Sequence, residues 1–120
     1  MKDQPKVVVY EKLTCSTCRE VKRVLTEKSV VFESVHYIEN PLSTNELKSL
    51  LSKAGMKPAD VVRKNEPAYR EHIAGRELTD AQLIALMVKH PELIQRPIVV
   101  RGGKAVLARP VSRLGELGIE

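Results

Sequence analysis

The chain of 120 residues predicts a mixed α/β fold in which a β-α-β half and a β-β-α half are separated by a helical insertion. Three observations carry this. The apolar run Val7-Val8-Val9-Tyr10 gives way to Val21, Val24 and Leu25 at helical spacing, and a second β-type run follows at 30–37. Near the other end, Ile98-Val99-Val100 and Ala105-Val106-Leu107 flank Gly102-Gly103, the pattern of a hairpin. Between the halves, residues 41–95 carry helix-start signals rather than strand alternation.

Taken in order, strand, helix and strand make a unit whose connection is expected to be right-handed. Asn40-Pro41 then breaks the chain. Ser43 caps a helix, with Glu46 three residues on completing a capping box. Leu47, Leu50 and Leu51 form its apolar face, and Gly55 ends it. Pro58 opens a short helix through Val61 and Val62, and Glu66-Pro67 opens another. Thr79 and Gln82 form a second capping box, leading Leu83, Ile84, Leu86 and Met87 into a helix that stops near His90-Pro91. A last helix after Pro110 carries Val111, Leu114 and Leu117. Residues 1–120 read as one domain, and the element order resembles a thioredoxin-like fold with a helical insertion at about 41–95.

Composition bounds the function. A hydrophobic content of 42% and a charged content of 29% suit a globular protein with a core of its own. No apolar run approaches the ~20 residues that span a bilayer, and Met1 to Pro5 lead into a strand rather than a signal peptide. The expectation is a monomer in the cytoplasm, with no membrane partner and both thiols reduced at rest. The net charge of +5 is spread along the chain, and with only 3% aromatic residues nucleic acid is a poor fit as partner.

The chemistry points to Cys15-Ser16-Thr17-Cys18. Cys15 falls at or just before a helix start, where free backbone N–H groups and the positive end of the helix dipole favour an anion. A thiolate is such an anion, and it is the reactive form of cysteine. With two cysteines in the chain a four-cysteine zinc site cannot form, and His36, His72 and His90 lack zinc-finger spacing. A disulfide between residues three apart closes too small a loop to staple a domain. Redox or nucleophilic chemistry fits this setting; adventitious metal binding and inert thiols are the other uses of the motif. No bound cofactor is expected.

Three arginines stand beside structural punctuation: Arg63 after a short helix, Arg96 before Pro97, and Arg109 before Pro110. Guanidinium forks match oxyanions with several oxygens. A surface arginine is the ordinary alternative for each. Pro97 opens the third strand, where thioredoxin folds place a cis-proline facing the active cysteine.

The whole chain resembles the glutaredoxin-coupled arsenate reductase family. The resemblance rests on Val9-Tyr10 to Cys15, on Val62-Arg63-Lys64-Asn65-Glu66, on the run from His90-Pro91 through Leu93-Ile94 to Arg96-Pro97-Ile98-Val99-Val100, and on Ala108-Arg109-Pro110. It implies that Cys15 is the nucleophile and that Arg63, Arg96 and Arg109 hold arsenate and its cysteine adduct. It also implies that glutathione supplies a second thiol, with glutaredoxin clearing the mixed disulfide.

The sequence departs from the family pattern twice. Glu11, Lys12 and Leu13 stand where the family has His-Asn-Pro; a carboxylate near the thiol would raise its pKa and Lys12 would lower it. Cys18 stands where members carry serine or another residue. As a resolving thiol it would form an intramolecular disulfide and open a thioredoxin-like recycling route; as a small buried hydrophobe it would only pack. Two other readings share the motif. One is a general thiol–disulfide oxidoreductase. The other is a redox-sensing regulator of the Spx type, which binds RNA polymerase and carries a similar His-Pro to Arg-Pro run.

Overall fold

The computed structural model describes residues 6–12 and 14–119. Strand β1 (Val7–Glu11), helix α1 (Ser16–Glu27) and strand β2 (Phe32–His36) open the chain; helices α2 (Thr44–Ala54), α3 (Pro58–Val61), α4 (Pro67–His72) and α5 (Asp80–Lys89) form the insertion. A 3-10 turn at Pro91–Leu93 leads to strands β3 (Ile98–Arg101) and β4 (Lys104–Leu107), and a 3-10 helix spans Val111–Leu117. The strands form one sheet in the order β2-β1-β3-β4. β1 runs parallel to β2 and antiparallel to β3, and β3 is antiparallel to β4.

Side-chain alternation sorts the sheet into two faces. Val7 and Val9 of β1, Val99 of β3 and Val106 of β4 pack with Val21 and Leu25 of α1 and with Leu114 and Leu117 of the last helix. On the other face, Ile98, Val100, Ala105 and Leu107 pack with Leu47, Leu50, Leu51, Leu83, Ile84 and Met87 of the insertion. The result is a sheet between two helical layers, the insertion and α1 on opposite sides. Residues 11 and 9 share a face, so Glu11 is turned toward the α1 layer.

The helix-start signals act as the chemistry of capping requires. Ser43 Oγ accepts from the Glu46 backbone N–H at 3.1 Å, and Glu46 Oε1 accepts from the Ser43 N–H at 2.9 Å. Thr79 and Gln82 repeat the arrangement ahead of α5. Gly55 ends α2 in the left-handed region at φ 64, which a glycine adopts without a Cβ clash.

Some boundaries differ from the sequence reading. The second strand begins at Phe32, because the Val30 N–H closes the end of α1 on the Leu25 carbonyl at 2.9 Å, and Val31 is left exposed. Tyr37 leaves the strand for a turn yet is buried. The last helix has 3-10 bonding, with Arg113 N–H on Pro110 O and Gly118 N–H on Gly115 O; a glycine within so short a segment weakens the α alternative. Residues 1–5 and Leu13, both invoked above, lie outside the described residues. Among the described residues, no helix is long and apolar enough to cross a membrane.

Truncating the fully buried Leu47 to alanine is expected to cost about 2–5 kcal/mol, and Ser43→Ala about 1 kcal/mol. Urea denaturation of the two variants against the parent chain measures both.

Candidate active site

Cys15 is the N-cap of α1. Its backbone is extended, at φ −85 and ψ 120, while its sulfur accepts the backbone N–H of Cys18 at 3.2 Å. This is the capping geometry of serine or aspartate carried out by sulfur. A turn leads into it, with Cys15 N–H on the Lys12 carbonyl at 3.1 Å. Both cysteines are free; Cys15 is half-buried and Cys18 fully buried.

The thiols are electrostatically unequal. Burial pushes the Cys15 pKa up, but hydrogen bonds from the Cys18 thiol and backbone N–H, then the charges of Arg96 and Arg109, outweigh it, and the net shift is downward. Cys18 is pushed up to about 12, by burial first and then by donating its S–H to Cys15, with the Cys15 and Glu11 charges adding to the effect. Of the two thiols, Cys15 is the one that ionises first, while Cys18 holds its proton.

Backbone pairing gathers the arginines. Val62 bridges Ile94, Arg63 N–H donates to Leu93 O at 2.7 Å and Gln95 N–H donates to Val61 O at 2.8 Å, tying the Arg63 segment to the approach to β3. Ile98 pairs with Leu107, and Ala108 N–H donates to Pro97 O at 2.9 Å, so Arg96 and Arg109 meet where β3 begins and β4 ends. Arg109 Nη1 donates to the Arg96 carbonyl at 2.8 Å. The Arg96–Pro97 and Arg109–Pro110 peptide bonds are both cis.

Arg96 is the decisive one. It is only 6% exposed, and its Nε and Nη1 are buried without a protein acceptor. A buried cation with unused donors is costly unless something anionic meets it. Its neighbours are the Cys15 sulfur and the Tyr37 hydroxyl, which donates to Ile94 O at 2.6 Å. Burial pushes the Tyr37 phenol up to about 12, so it stays a neutral donor.

Arg63 enters from the side. It lines a polar cleft of about 410 Å³ with Lys64, Asn65, Gln95 and Arg109, and its Nε stands 3.8 Å from Glu66 Oε2. Cys15, Cys18, Arg96 and Arg109 are thus one electrostatic unit, while Arg63 reaches it through the cleft it shares with Arg109. A larger cleft, at the far end of the sheet between Lys6, Val31 and Arg101, touches none of these groups.

Sequence reasoning overlooked Tyr37, Gln95 and Asn65. Tyr37 stands at the end of the β-type run at 30–37, where an aromatic residue carries no sign of its burial in the turn beyond the strand. Gln95 carried a signal in standing next to Arg96; Asn65 carried none. The open choice between Glu11 and Lys12 is settled by burial: the Glu11 side chain is fully buried, its Oε1 2.8 Å from Lys22 Nζ and its Oε2 3.7 Å from His36 Nε2. Its charge acts on Cys18. His36 is half-buried at the sheet edge, and His90 stacks on His72 with ring centroids 4.6 Å apart at the end of α5. Among the described residues, no cluster of three or more His, Cys, Asp or Glu could hold a metal ion.

Fold and site together define a thioredoxin-like protein with a helix-capping cysteine in an arginine-lined setting. Residues 10–117 match the model of the ArsC family. The chain is 38% identical over 113 residues to the uncharacterized protein YfgD of Escherichia coli K12, covering 92% of this chain and 95% of that protein. It is 30% identical over 112 residues to an arsenate reductase of Neisseria meningitidis, covering 92% and 96%. The solved arsenate reductase from Vibrio cholerae superposes with a TM-score of 0.88 at 34% identity, over 98% of this chain and all of that one. The chain belongs to the ArsC family, the arsenate reductase family that the sequence resembles.

Alkylation by iodoacetamide should follow a single titration at Cys15 with a midpoint below that of an ordinary thiol. Arg96→Gln, which removes a positive charge beside the sulfur, should move that midpoint upward. Peptide mass spectrometry should find Cys18 unmodified at neutral pH.

Proposed function

We propose that the protein reduces arsenate to arsenite through a covalent intermediate on Cys15. The observation that carries this reading is the buried Arg96 guanidinium, with two donor nitrogens lacking a protein acceptor, set beside a thiolate. A cation held in that state matches an incoming oxyanion. Membership of the arsenate reductase family and the likeness to solved arsenate reductases support the same assignment.

The chemistry runs as follows. Cys15 thiolate attacks the arsenic of arsenate; an S–As bond forms and one arsenate oxygen, protonated, leaves as water. Arsenic remains in its +5 state. Arg96 and Arg109 neutralise the adduct's oxygens, and Arg63 draws the anion in from the cleft. A second thiol then attacks the Cys15 sulfur. The S–As bond breaks, its electron pair stays on arsenic, and arsenite leaves with arsenic in its +3 state. The two thiols become a disulfide.

Cys18 is the resolving thiol in this scheme. It lies in the first turn of the helix that Cys15 caps, and its backbone N–H donates to the Cys15 sulfur at 3.2 Å, which keeps the two residues together. The resulting Cys15–Cys18 disulfide is reopened by thioredoxin or by glutathione with glutaredoxin, and no bound cofactor takes part.

Arsenate-dependent NADPH oxidation, coupled separately through thioredoxin and through glutathione with glutaredoxin, tests the scheme. Turnover is expected with at least one system and none with Cys15→Ser; kcat/KM should fall by about 10²–10³ with Arg96→Ala. Cys18→Ser should abolish the thioredoxin route and spare any glutathione route. Absence of arsenate-dependent turnover in both systems would sink the proposal and leave general thiol exchange or redox-gated polymerase binding as the use of the site.

A further inference from the structure

One buried carboxylate on the α1 side of the sheet has no part in that scheme. Glu11 ends β1 with its side chain fully buried, and neither carboxylate oxygen makes a hydrogen bond of normal geometry. Its contacts are ionic: Lys22 Nζ at 2.8 Å and His36 Nε2 at 3.7 Å. Lys22 lies one helical turn beyond Cys18 on α1, so the two project from one face of the helix onto the same end of β1. Glu11 lies on the α1 side of the sheet, and the backbone N–H of Lys12, the next residue, faces the Cys18 sulfur. The carboxylate and the Cys18 thiol are thus both fully buried on the α1 side of the sheet, and the carboxylate's charge acts on that thiol.

We infer that Glu11 is the proton acceptor for Cys18 when Cys18 attacks a Cys15 adduct. The inference rests on the reading of Cys18 as the resolving thiol. Before attack, Cys18 is protonated and buried, and its S–H must be broken for sulfur to act as a nucleophile. Once Cys15 carries a substituent its negative charge is gone, and burial and the Glu11 charge are what still oppose ionisation. Transfer of the proton to Glu11 removes the second obstacle in the act of creating the thiolate. One negative charge moves from carboxylate to sulfur, and the buried site never holds two.

The step balances. The Cys18 S–H bond breaks and a carboxyl O–H forms on Glu11. Cys18 sulfur attacks Cys15 sulfur, an S–S bond forms, and the bond from Cys15 to its substituent breaks with the electron pair leaving on that substituent. Cys18 and Cys15 are oxidised together by two electrons and the leaving group is reduced by two. Among the described residues, Cys18 and Lys22 from α1 and His36 from β2 are the titratable groups facing Glu11. Lys22 and His36 are each about a third exposed, at 30% and 34%, and connect the carboxylate to water for return of the proton.

The test uses stoichiometric reaction with an aromatic disulfide that releases coloured thionitrobenzoate. A first equivalent marks attack by Cys15, and a second marks attack by Cys18 on the Cys15 adduct. In the parent chain both are expected, the second with a rate nearly level across neutral pH. Glu11→Gln should leave the first phase within about twofold and slow the second by about 10–100-fold, a share of general-base catalysis. The slowed phase should then rise about tenfold per pH unit, as for an unassisted thiol of high pKa. Glu11→Asp, which keeps a carboxylate at shorter reach, should recover part of the rate and the flat profile.

The opposite result discriminates sharply. If Glu11 acted only as a negative charge, its neutralisation would ease ionisation of Cys18 and the second phase would speed up. A second phase unchanged or faster in Glu11→Gln overturns the role of Glu11 while leaving Cys18 as resolving thiol. A parent chain that keeps its bound thionitrobenzoate, as Cys18→Ser is expected to, overturns both.

Discussion

The constraint on which the rest of this structure depends is that its sheet is covered on both faces. Valines and leucines fill the middle of every central strand because each side chain, on either face, meets a helical layer. Polar chemistry is thereby confined to strand ends. Glu11 closes β1, Arg96 and Pro97 precede β3, and Arg109 follows β4, all at the edge where α1 begins. The antiparallel pairing of β3 with β4 makes a start and an end coincide there. Residues spread from 11 to 109 in the chain become a single site.

At that edge, placement rather than residue type decides reactivity. Cys15 and Cys18 differ by one helical turn and end on opposite sides of an ordinary thiol's pKa. The first meets backbone N–H and guanidinium; the second meets hydrocarbon, a neighbouring thiolate and a carboxylate. Arg96 likewise gains its role from burial, since exposed it would be one basic group among many. The net charge of +5 is incidental to this; what matters is that two of those cations are fixed near one sulfur.

Much of this was legible in the residues. Capping boxes at Ser43 and Thr79 and the glycine stop at Gly55 announce their helices because the signals are local, a matter of three or four neighbouring residues. Cys15 could be placed at a helix start for the same reason. Long-range facts were not legible. That Glu11 rather than Lys12 turns inward depends on which face of β1 meets α1, and that Tyr37 sits by Arg96 depends on a hydrogen bond to a residue 57 positions away. The end of the chain falls between these cases: apolar spacing at Val111, Leu114 and Leu117 marked a helix, but 3-10 and α forms bury such residues alike over so short a stretch.

The sulfur cap on α1 makes the state of Cys15 and the integrity of the helix two expressions of one equilibrium. The N–H of Cys18 stabilises the thiolate, so by reciprocity the thiolate stabilises the helix's first turn. The folded thiol has the lower pKa, and the stabilisation is therefore complete above the unfolded value and fades as pH falls through the folded one. A substituent on Cys15 abolishes the anion as surely as acid does. The first turn, in which Cys18 lies, then loses its anchor, and under the proposed scheme this is the moment at which Cys18 moves toward its partner. In the proposed scheme the oxidation cycle is in this sense also a cycle of local order, with the helix end tightest when Cys15 is ionised and loosest when Cys15 carries a substituent.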